Sequence, residues 1–435
     1  MANLAKKNVI IGAGLTGLSA AYHLKDNYAL YEQDSFPGGL ASSEKVKGFI
    51  FDKAGHILHF QREYIKKLLD QIKNGSILNK HKRLSWVFSK NTYTRYPFQV
   101  NTYKLPPSVV KDCLVKMHQV QSDLRIKRSA DNLKDWILEN FGEGIARHFM
   151  FPYNQKLWKV PLKSIGIDWV DKFIPKAQFD SVVRGAISDF KKSFGYNKVF
   201  YYPKFGGIQT VADAFFNKVR DKVYFGKKIV KIDLKRKTLV FSDGEKIKFR
   251  RIISTMPLPE LIKVMKYVPA KIKAKINNLR YVSVFNLNLG IDRDNISDKH
   301  WIYFPEKKYI FYRVGFFSNF SKKVCPEKKS SLYAEVSYTS DKPLKYSKPE
   351  LKERIIKDLN KAGILKKNEK IVAEKSYNIK YAYPISNKNE SLDAIDEFLK
   401  FYDLYSIGRY GSWRYMSMEE CVAEGKIIAD CINSF

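Results

Sequence analysis

The chain has 435 residues, more than one hydrophobic core usually supports, so two or three interleaved lobes are expected. Apolar residues make up 45% and charged residues 28%, which excludes an intrinsically disordered chain. The formal charge of +34 favours anionic ligands, but the lysines are scattered without the contiguous basic stripe of a nucleic-acid reader, so no nucleic-acid partner is expected.

A strand, a tight turn and a helix are predicted first. Residues 9–11 are β-branched and predict a strand, and a helical apolar pattern begins at Leu18. Between them, Gly12 permits the turn, Gly14 lets the backbone approach a pyrophosphate, and Gly17 lets helix and strand pack closely. The phosphates would meet free N–H groups at the helix N-terminus, so the predicted binding turn also includes two further residues, Leu15 and Thr16.

A second strand, residues 28–31, ends at Glu32. This position lies about twenty residues after the first glycine, where a carboxylate can accept both ribose hydroxyls of a dinucleotide. Two further glycine-containing segments follow, Pro37-Gly-Gly-Leu40 and Phe51-Asp-Lys-Ala-Gly-His56. By itself, a histidine such as His56 is more often a satisfied buried residue than a ligand.

The remaining pattern predicts alternating blocks of helices and strands. Residues 64–187 are largely helical, interrupted by a strand pair near 84–88 and 93–96. The later elements are a helix at 209–219, strands within 223–257, an antiparallel sheet within 280–340 and a helix at 349–362.

These blocks predict an α/β protein with a Rossmann-type dinucleotide-binding domain, an inserted helical lobe and an antiparallel-sheet substrate domain. The binding domain is expected in three pieces of sequence. The predicted division is 1–62 (first part of the binding domain), 63–195 (helical lobe), 196–275 (second part), 276–385 (sheet domain) and 386–435 (C-terminal part with a cofactor-facing helix).

The four cysteines form no C-x-x-C pair, so neither a disulfide framework nor a metal site is indicated. No apolar run approaches the ~20 residues that a bilayer-spanning helix needs. The N-terminus also lacks a signal-peptide pattern. A cytoplasmic protein without a transmembrane segment is therefore expected.

The segments Gly38-Gly-Leu-Ala and Phe51-Asp-x-x-Gly-His56 resemble those of the flavin-containing amine oxidase superfamily, rather than those of NAD dehydrogenases. More specific segments match the eukaryotic-type branch of the UDP-galactopyranose mutase family over nearly the whole chain. They are Tyr96-Pro-Phe-Gln99, Phe141-Gly-Glu-Gly-Ile-Ala, Met150-Phe-Pro-Tyr-Asn-Gln-Lys-Leu-Trp158, Trp301-Ile-Tyr-Phe-Pro305, Phe311-Tyr-Arg313, Phe317-Ser-Asn319, Tyr381-Ala-Tyr-Pro384 and Gly408-Arg-Tyr-Gly-Ser-Trp-Arg-Tyr415.

The resemblance implies FAD as the cofactor, active when reduced, and NAD(P)H as the external reductant. It places Gly38, Gly39 and Leu40 along the ribityl-phosphate stretch and Gly55 with His56 near the isoalloxazine. Three more cofactor contacts follow from it: Val230 at the adenine, and Arg409 and Ser417 facing the flavin.

On the substrate side the resemblance implies that Arg313 holds a diphosphate, with help from Tyr383 and Tyr415. His56 and Arg313 are the implied catalytic residues. The other implied nucleotide-sugar contacts are Gln99, Asn154, Trp158 and Tyr303. Taken singly, each aromatic residue is equally consistent with a core position, and Arg313 with an ion pair to a carboxylate such as Glu335.

The chain departs from the family pattern at two places. Lys172 stands where a second arginine is expected, which keeps the charge but loses the bidentate fork. The tail after Tyr415 also diverges, reading Met416-Ser-Met-Glu-Glu-Cys421. Both departures leave the sugar and the nucleotide undetermined.

The implied reaction is the redox-neutral interconversion of UDP-galactopyranose and UDP-galactofuranose, or a related UDP-sugar, through an N5 flavin–sugar adduct, for cell-surface polysaccharide biosynthesis. No protein nucleophile is needed, because the cofactor supplies the chemistry. An FAD-dependent oxidase of the amine oxidase or protoporphyrinogen oxidase type is the alternative, and a flavoprotein scaffold without turnover is a third reading. A homo-oligomer is compatible with the sequence.

Overall fold

A computed structural model describes residues 7–434 except 26, 74, 124–128, 191–193, 196–197 and 387–390. Its strands, in chain order, are β1 (Lys7–Ile11), β2 (Tyr28–Tyr31), β3 (Ser43–Val46), β4 (Phe49–Asp52), β5 (Leu78–Lys82), β6 (Ser85–Ser89), β7 (Thr92–Arg95), β8 (Val199–Pro203), β9 (Val223–Tyr224), β10 (Ile229–Asp233), β11 (Thr238–Phe241), β12 (Lys246–Ser254), β13 (Arg280–Ile291), β14 (Trp301–Tyr303), β15 (Arg313–Gly315), β16 (Ser330–Tyr338), β17 (Ile371–Ile385) and β18 (Leu404–Ser406).

The α-helices, again in chain order, are α1 (Leu15–His23), α2 (Glu63–Ile72), α3 (Pro107–Ser122), α4 (Leu133–Ile145), α5 (Phe151–Trp158), α6 (Val170–Phe173), α7 (Phe179–Ile187), α8 (Gln209–Val219), α9 (Leu258–Val264), α10 (Ala270–Asn277), α11 (Lys348–Lys361), α12 (Asp393–Phe401), α13 (Gly408–Gly411) and α14 (Met418–Asn433). A π-helical turn, Ala146–Met150, joins α4 to α5.

The first sheet forms the dinucleotide-binding half. Strands β18, β12, β1, β2 and β9 lie side by side and pair in parallel, and β11 and β10 extend β12 as an antiparallel ribbon. Helix α1 packs against α14 and α8 over one apolar core. A Cβ on Gly17 would lie 1.9 Å from the carbonyl oxygen of Gly12, so only glycine allows this close approach. The predicted strand–turn–helix unit is confirmed.

The second sheet has the order β17, β13, β16, β15, β14, β6 and β7. Its pairs are antiparallel except β14 with β6, which run parallel. The antiparallel sheet predicted within residues 280–340 is confirmed, and so is the strand pair predicted near 84–96. The tertiary fold adds that this strand pair joins the same sheet through β14.

The helical segment packs around a separate core, which also includes Val87, Val282 and Ile385 of the second sheet. Gly142, with φ of 68°, breaks the line of α4 and lies against α3, where a Cβ would lie 2.3 Å from the carbonyl oxygen of Lys116. Helix α2 instead buries Ile65 and Leu68 in the core of the first sheet, beside α1 and α8. The division into domains stays a prediction.

Two late helices begin with reciprocal capping boxes. Ser347 and Glu350 cap α11, and Ser417 and Glu420 cap α14. The predicted helices at 349–362 and from Ser417 onward are confirmed, the first of them shifted by one residue, and α8 confirms the helix predicted at 209–219. Within the part of the chain that the structure describes, none of the helices combines the length and the apolar character needed to cross a bilayer.

Candidate active site

Three loops at the carboxyl edge of the first sheet meet around Gly14. Gly38 donates its N–H to the carbonyl oxygen of Ala13 at 2.8 Å, and Gly14 and Gly38 form an isolated parallel bridge. Glu32, at the end of β2, accepts from the Ala13 N–H at 2.6 Å and the Asp34 N–H at 2.9 Å. Burial raises the pKa of Glu32, and these N–H donors offset part of that rise.

This edge fits the phosphate half of FAD. A Cβ built on Gly14 meets no atom within 4 Å, whereas one on Gly12 or Gly17 would collide with its neighbours. Of these three glycines, Gly14 alone has open space beside it, and it is the position predicted to face the pyrophosphate. Gly14 is also the N-cap of α1 without a side-chain cap, and the first turn carries no acid, so the N–H groups of Leu15 and Thr16 can receive an anion.

The C-terminal elements extend this edge. A Cβ on Gly408 would lie 2.7 Å from Oγ1 of Thr16, which places the start of α13 against the start of α1. Ser417 is occupied within its capping box, with its N–H 2.7 Å and its hydroxyl 2.8 Å from Oε2 of Glu420. Val230 stands 44% exposed on β10. The roles predicted for these residues stay predictions.

A buried carboxyl, Asp52, fixes the turn that presents Gly55 and His56. Its oxygens accept from the Ser43 hydroxyl at 2.6 Å, the Tyr202 hydroxyl at 2.9 Å and the Ile208 N–H at 3.1 Å. Complete burial raises its pKa to about 7, although all three donors favour the charged form. Burial lowers the pKa of His56 to about 4, so the imidazole is neutral at physiological pH.

Arg313 and Glu335 form a bidentate ion pair across β15 and β16. Arg313 Nε lies 2.7 Å from Oε2, and Nη2 lies 2.9 Å from Oε1. Glu335 is 1% exposed, and its Oε1 also accepts from the Gly55 N–H at 3.4 Å. The carboxylate pairing that the sequence left open is therefore present, and it connects Arg313 to the turn that carries His56.

Tyr383 and Tyr415 stack beside this pair, with ring centroids 5.8 Å apart. The Tyr383 hydroxyl lies 3.3 Å from that of Tyr312. The Arg409 guanidinium lies 4.5 Å from the Tyr415 ring centre and donates to two backbone carbonyls, those of Met416 and Ala382. Among the residues that the structure describes, Arg409 has no carboxylate partner, so this cluster keeps a net positive charge. We call it the tyrosine cluster, comprising Tyr312, Tyr383, Tyr415, Arg313 and Arg409.

Lys172 lies at the rim of the tyrosine cluster. Its Nζ is 2.5 Å from Oε1 of Glu420 and 5.3 Å from the Phe173 ring centre. The Phe173 ring is edge-on to Tyr415 at 4.7 Å. Burial raises the pKa of Glu420, but hydrogen bonds from Lys172 and Ser417 outweigh it, and the net pKa is lowered.

The other predicted substrate residues belong to the helical segment, except Tyr303, which is on β14. Trp158 donates from Nε1 to Oδ1 of Asn154 at 3.2 Å, and its ring is 5.8 Å from that of Tyr383. Gln99 is fully buried and donates to the Pro175 carbonyl at 2.5 Å, while its Oε1 has no partner in the described part of the chain. Tyr303 is the neighbour of Arg313 in the β14–β15 register.

Three residues of the site were not predicted from the sequence: Tyr312, Asp52 and Glu420. Two of them had a readable signal. Asp52 is part of the Phe-Asp-x-x-Gly-His segment, and Glu420 stands three residues after Ser417, the spacing of a capping box. Tyr312 precedes Arg313, but its contact with Tyr383 joins β15 to β17 and no local pattern predicts it.

Comparison with known proteins agrees with this geometry. The family model described as flavin-containing amine oxidoreductase matches residues 15–433. A crystal structure of reduced UDP-galactopyranose mutase superimposes with a TM-score of 0.92 at 30% identity, covering 99% of this chain and 96% of that one. Cyclohexylamine oxidase from Brevibacterium oxydans shares the fold, with a TM-score of 0.71, 12% identity and 99% coverage of both chains.

Among curated proteins, the chain is 26% identical over 269 residues to an L-amino-acid oxidase of Bothrops jararacussu. That match covers 55% of this chain and 50% of the oxidase, so the chain spans about half the length of the curated relatives it matches first. The predicted resemblance to UDP-galactopyranose mutase is confirmed by the fold. The chain belongs to the family of flavin-containing amine oxidoreductases.

Proposed function

We propose that this flavoprotein is a nucleotide-sugar mutase that interconverts UDP-galactopyranose and UDP-galactofuranose, or a related UDP-sugar. The observation that carries the proposal is the tyrosine cluster. Among the described residues, its two guanidiniums, Arg313 and Arg409, have one carboxylate partner, Glu335, so the site keeps a net positive charge beside the turn that carries Gly55. Buried charge requires a partner, and a diphosphate is a suitable one.

The residues of the chain have distinct tasks in this proposal. Arg313 binds the diphosphate while Glu335 holds its guanidinium plane, and the hydroxyls of Tyr383 and Tyr415 add donors with little loss of side-chain entropy. Aromatic walls around Trp158 exclude water and stack against the ligand. His56, held neutral by burial, can accept or donate a hydrogen bond without adding charge beside the reacting sugar.

The sheet edge around Gly14, which we call the glycine edge, fits FAD, and bound FAD in its reduced form would supply a nucleophilic nitrogen. The residues of the chain would position FAD: Gly14 and Glu32 would hold its nucleotide, and Gly55 with Arg409 would hold its flavin end. NAD(P)H as the reductant, a cytoplasmic location, a role in cell-surface glycans and homo-oligomer formation stay predictions.

One anaerobic assay tests the proposal. Dithionite-reduced holoenzyme is incubated with UDP-galactofuranose and, separately, with neighbouring nucleotide sugars, and the products are separated by chromatography. We expect conversion to the pyranose form by reduced enzyme and none by oxidised enzyme. Absence of conversion with every sugar would overturn the proposal.

An FAD-dependent oxidase is the second candidate, because the curated relative named above is an L-amino-acid oxidase. An amino acid presents one carboxylate, which the net positive charge of the tyrosine cluster would also attract. The two candidates differ in net redox change. Oxygen consumption by oxidised enzyme with an amino acid or amine, without isomerisation of any nucleotide sugar, would establish the oxidase.

A further inference from the structure

The ion pair between Lys172 and Glu420 connects two separate parts of the chain. Lys172 lies on α6 of the helical segment, and Glu420 lies in the first turn of α14. The two oxygens of Glu420 have separate partners: Oε2 accepts from Ser417 in the capping box, and Oε1 is 2.5 Å from the Lys172 ammonium. Losing Lys172 would therefore leave the cap of α14 intact.

This pair differs from the Arg313 pair in how easily it opens. Arg313 uses two parallel bonds to a carboxylate that is 1% exposed, and a lone carboxylate left there would be buried without compensation. Lys172 uses a single contact, and the side chains of Lys172 and Glu420 are 28% and 29% exposed, so water can replace the contact on both sides. Lys172 is the cation that an incoming anion can recruit.

Lys172 is also in position to be recruited. The Lys172 ammonium lies 5.3 Å from the Phe173 ring centre, the Phe173 and Tyr415 ring centres are 4.7 Å apart, and the Arg409 guanidinium lies 4.5 Å from the Tyr415 ring centre. Two aromatic rings therefore separate the Lys172 ammonium from the Arg409 guanidinium, so Lys172 is the cation at the rim of the tyrosine cluster.

We infer that Glu420 is an internal competitor of the substrate diphosphate for Lys172: in the free enzyme the ammonium is held by Glu420, and the bound diphosphate takes it over. The inference rests on the proposed function, since it needs a phosphate ligand at the tyrosine cluster. It gives Glu420 a specificity role, because ligands without phosphate gain nothing from displacing it.

The two halves of the ion pair therefore have opposite effects on ligand affinity. Glu420→Gln removes the competitor and keeps a capping-box side chain, since Gln serves at this position as Glu does. We expect it to tighten UDP binding to the holoenzyme about 3- to 10-fold by titration calorimetry. Lys172→Gln should weaken UDP binding by at least as much, and the double variant should match Lys172→Gln, because no ammonium remains to be competed for.

Two controls separate this role from general charge effects. Asp430→Asn removes one negative charge from the outer face of the same helix, where Asp430 pairs with Lys426, and it should leave UDP affinity unchanged. Uridine, which has no phosphate, should bind the wild type and Glu420→Gln equally. Equal tightening by Asp430→Asn, or of uridine, would overturn the inference.

UDP binding by the wild type and by Glu420→Gln also separates failure of the competition from failure of the proposed function. If wild-type holoenzyme binds no UDP, the proposed function fails. If it binds UDP and Glu420→Gln leaves the affinity unchanged or weakens it, the competition fails and the function stands. Should Glu420→Gln not fold, Lys172→Gln decides alone, since unchanged UDP affinity in that variant overturns the inference.

Discussion

The glycine edge and the tyrosine cluster offer different kinds of group to a ligand. Around Gly14 the groups are backbone N–H donors and the empty space that missing side chains leave. Around Tyr383 they are side chains, supplied by β15, β17, α13 and the residues next to them, and held by one another. Substitutions that add atoms should therefore impair binding at the glycine edge, and substitutions that remove side-chain groups should impair binding at the tyrosine cluster.

The largest effects on folding and on cofactor content are expected from two glycine variants. Gly17→Ala puts a Cβ 1.9 Å from the Gly12 carbonyl oxygen, so we expect loss of the folded protein, beyond the about 1–3 kcal/mol of ordinary overpacking. Gly14→Ala meets nothing within 4 Å and its φ of −72° suits any residue, so the apoprotein should keep its melting temperature.

Flavin absorbance of the purified variants completes that test. Gly14→Ala should contain little FAD, because its methyl group occupies the space left for the pyrophosphate. Stoichiometric FAD in Gly14→Ala would show that the phosphates bind elsewhere.

On the side-chain half, Arg313→Ala removes one partner of a buried pair. We expect the free energy of unfolding to fall by about 3–5 kcal/mol, because Glu335 is left as an uncompensated buried charge. UDP affinity should fall by about 1.5–3 kcal/mol. Adding Glu335→Gln should recover most of the stability and none of the affinity, as measured by urea unfolding and calorimetry. Recovery of both would place the phosphate away from Arg313.

Asp52 lies between the two halves and predicts a pH effect. Its folded-state pKa is about 7 against an ordinary 3.8, so the folded chain holds the proton more tightly than the unfolded chain. Its contribution to stability therefore decreases as pH rises from about 4 to 7, by up to about 4 kcal/mol, and is constant above that.

Asp52→Asn should abolish this slope. The difference in unfolding free energy, variant minus wild type, should become more positive between pH 4 and pH 8 in denaturant titrations. The exposed Asp171→Asn is the control and should follow the wild type. A difference that does not change with pH would show that Asp52 is ionised throughout.

The smallest effect is expected from Tyr415→Phe. The ring contacts with Tyr383, Trp169 and Arg409 persist, so the melting temperature should not change. Loss of one hydroxyl donor should weaken UDP binding by about 0.5–1.5 kcal/mol. Tyr22→Phe, which lies on α1, should leave UDP affinity unaffected. An unchanged affinity in Tyr415→Phe would remove this hydroxyl from the substrate site.

Local patterns predicted the fold well where neighbouring residues decide it. Strand β1, helix α1 and the capped start of α14 each depend on a few adjacent residues, and each formed where the pattern placed it. The joining of β6 to β14 could not be predicted in this way, because it pairs segments more than two hundred residues apart.

The sequence by itself determined that this chain binds a dinucleotide, since glycine spacing fixes backbone geometry and backbone geometry forms the binding edge. It also determined which charged and aromatic residues are available to form the tyrosine cluster and its rim. Only the tertiary structure decided their partners: Arg313 with Glu335, Lys172 with Glu420, and Arg409 with tyrosine faces. The physical reason is that ion pairs and ring contacts depend on distances between segments remote in the chain, which no local pattern encodes.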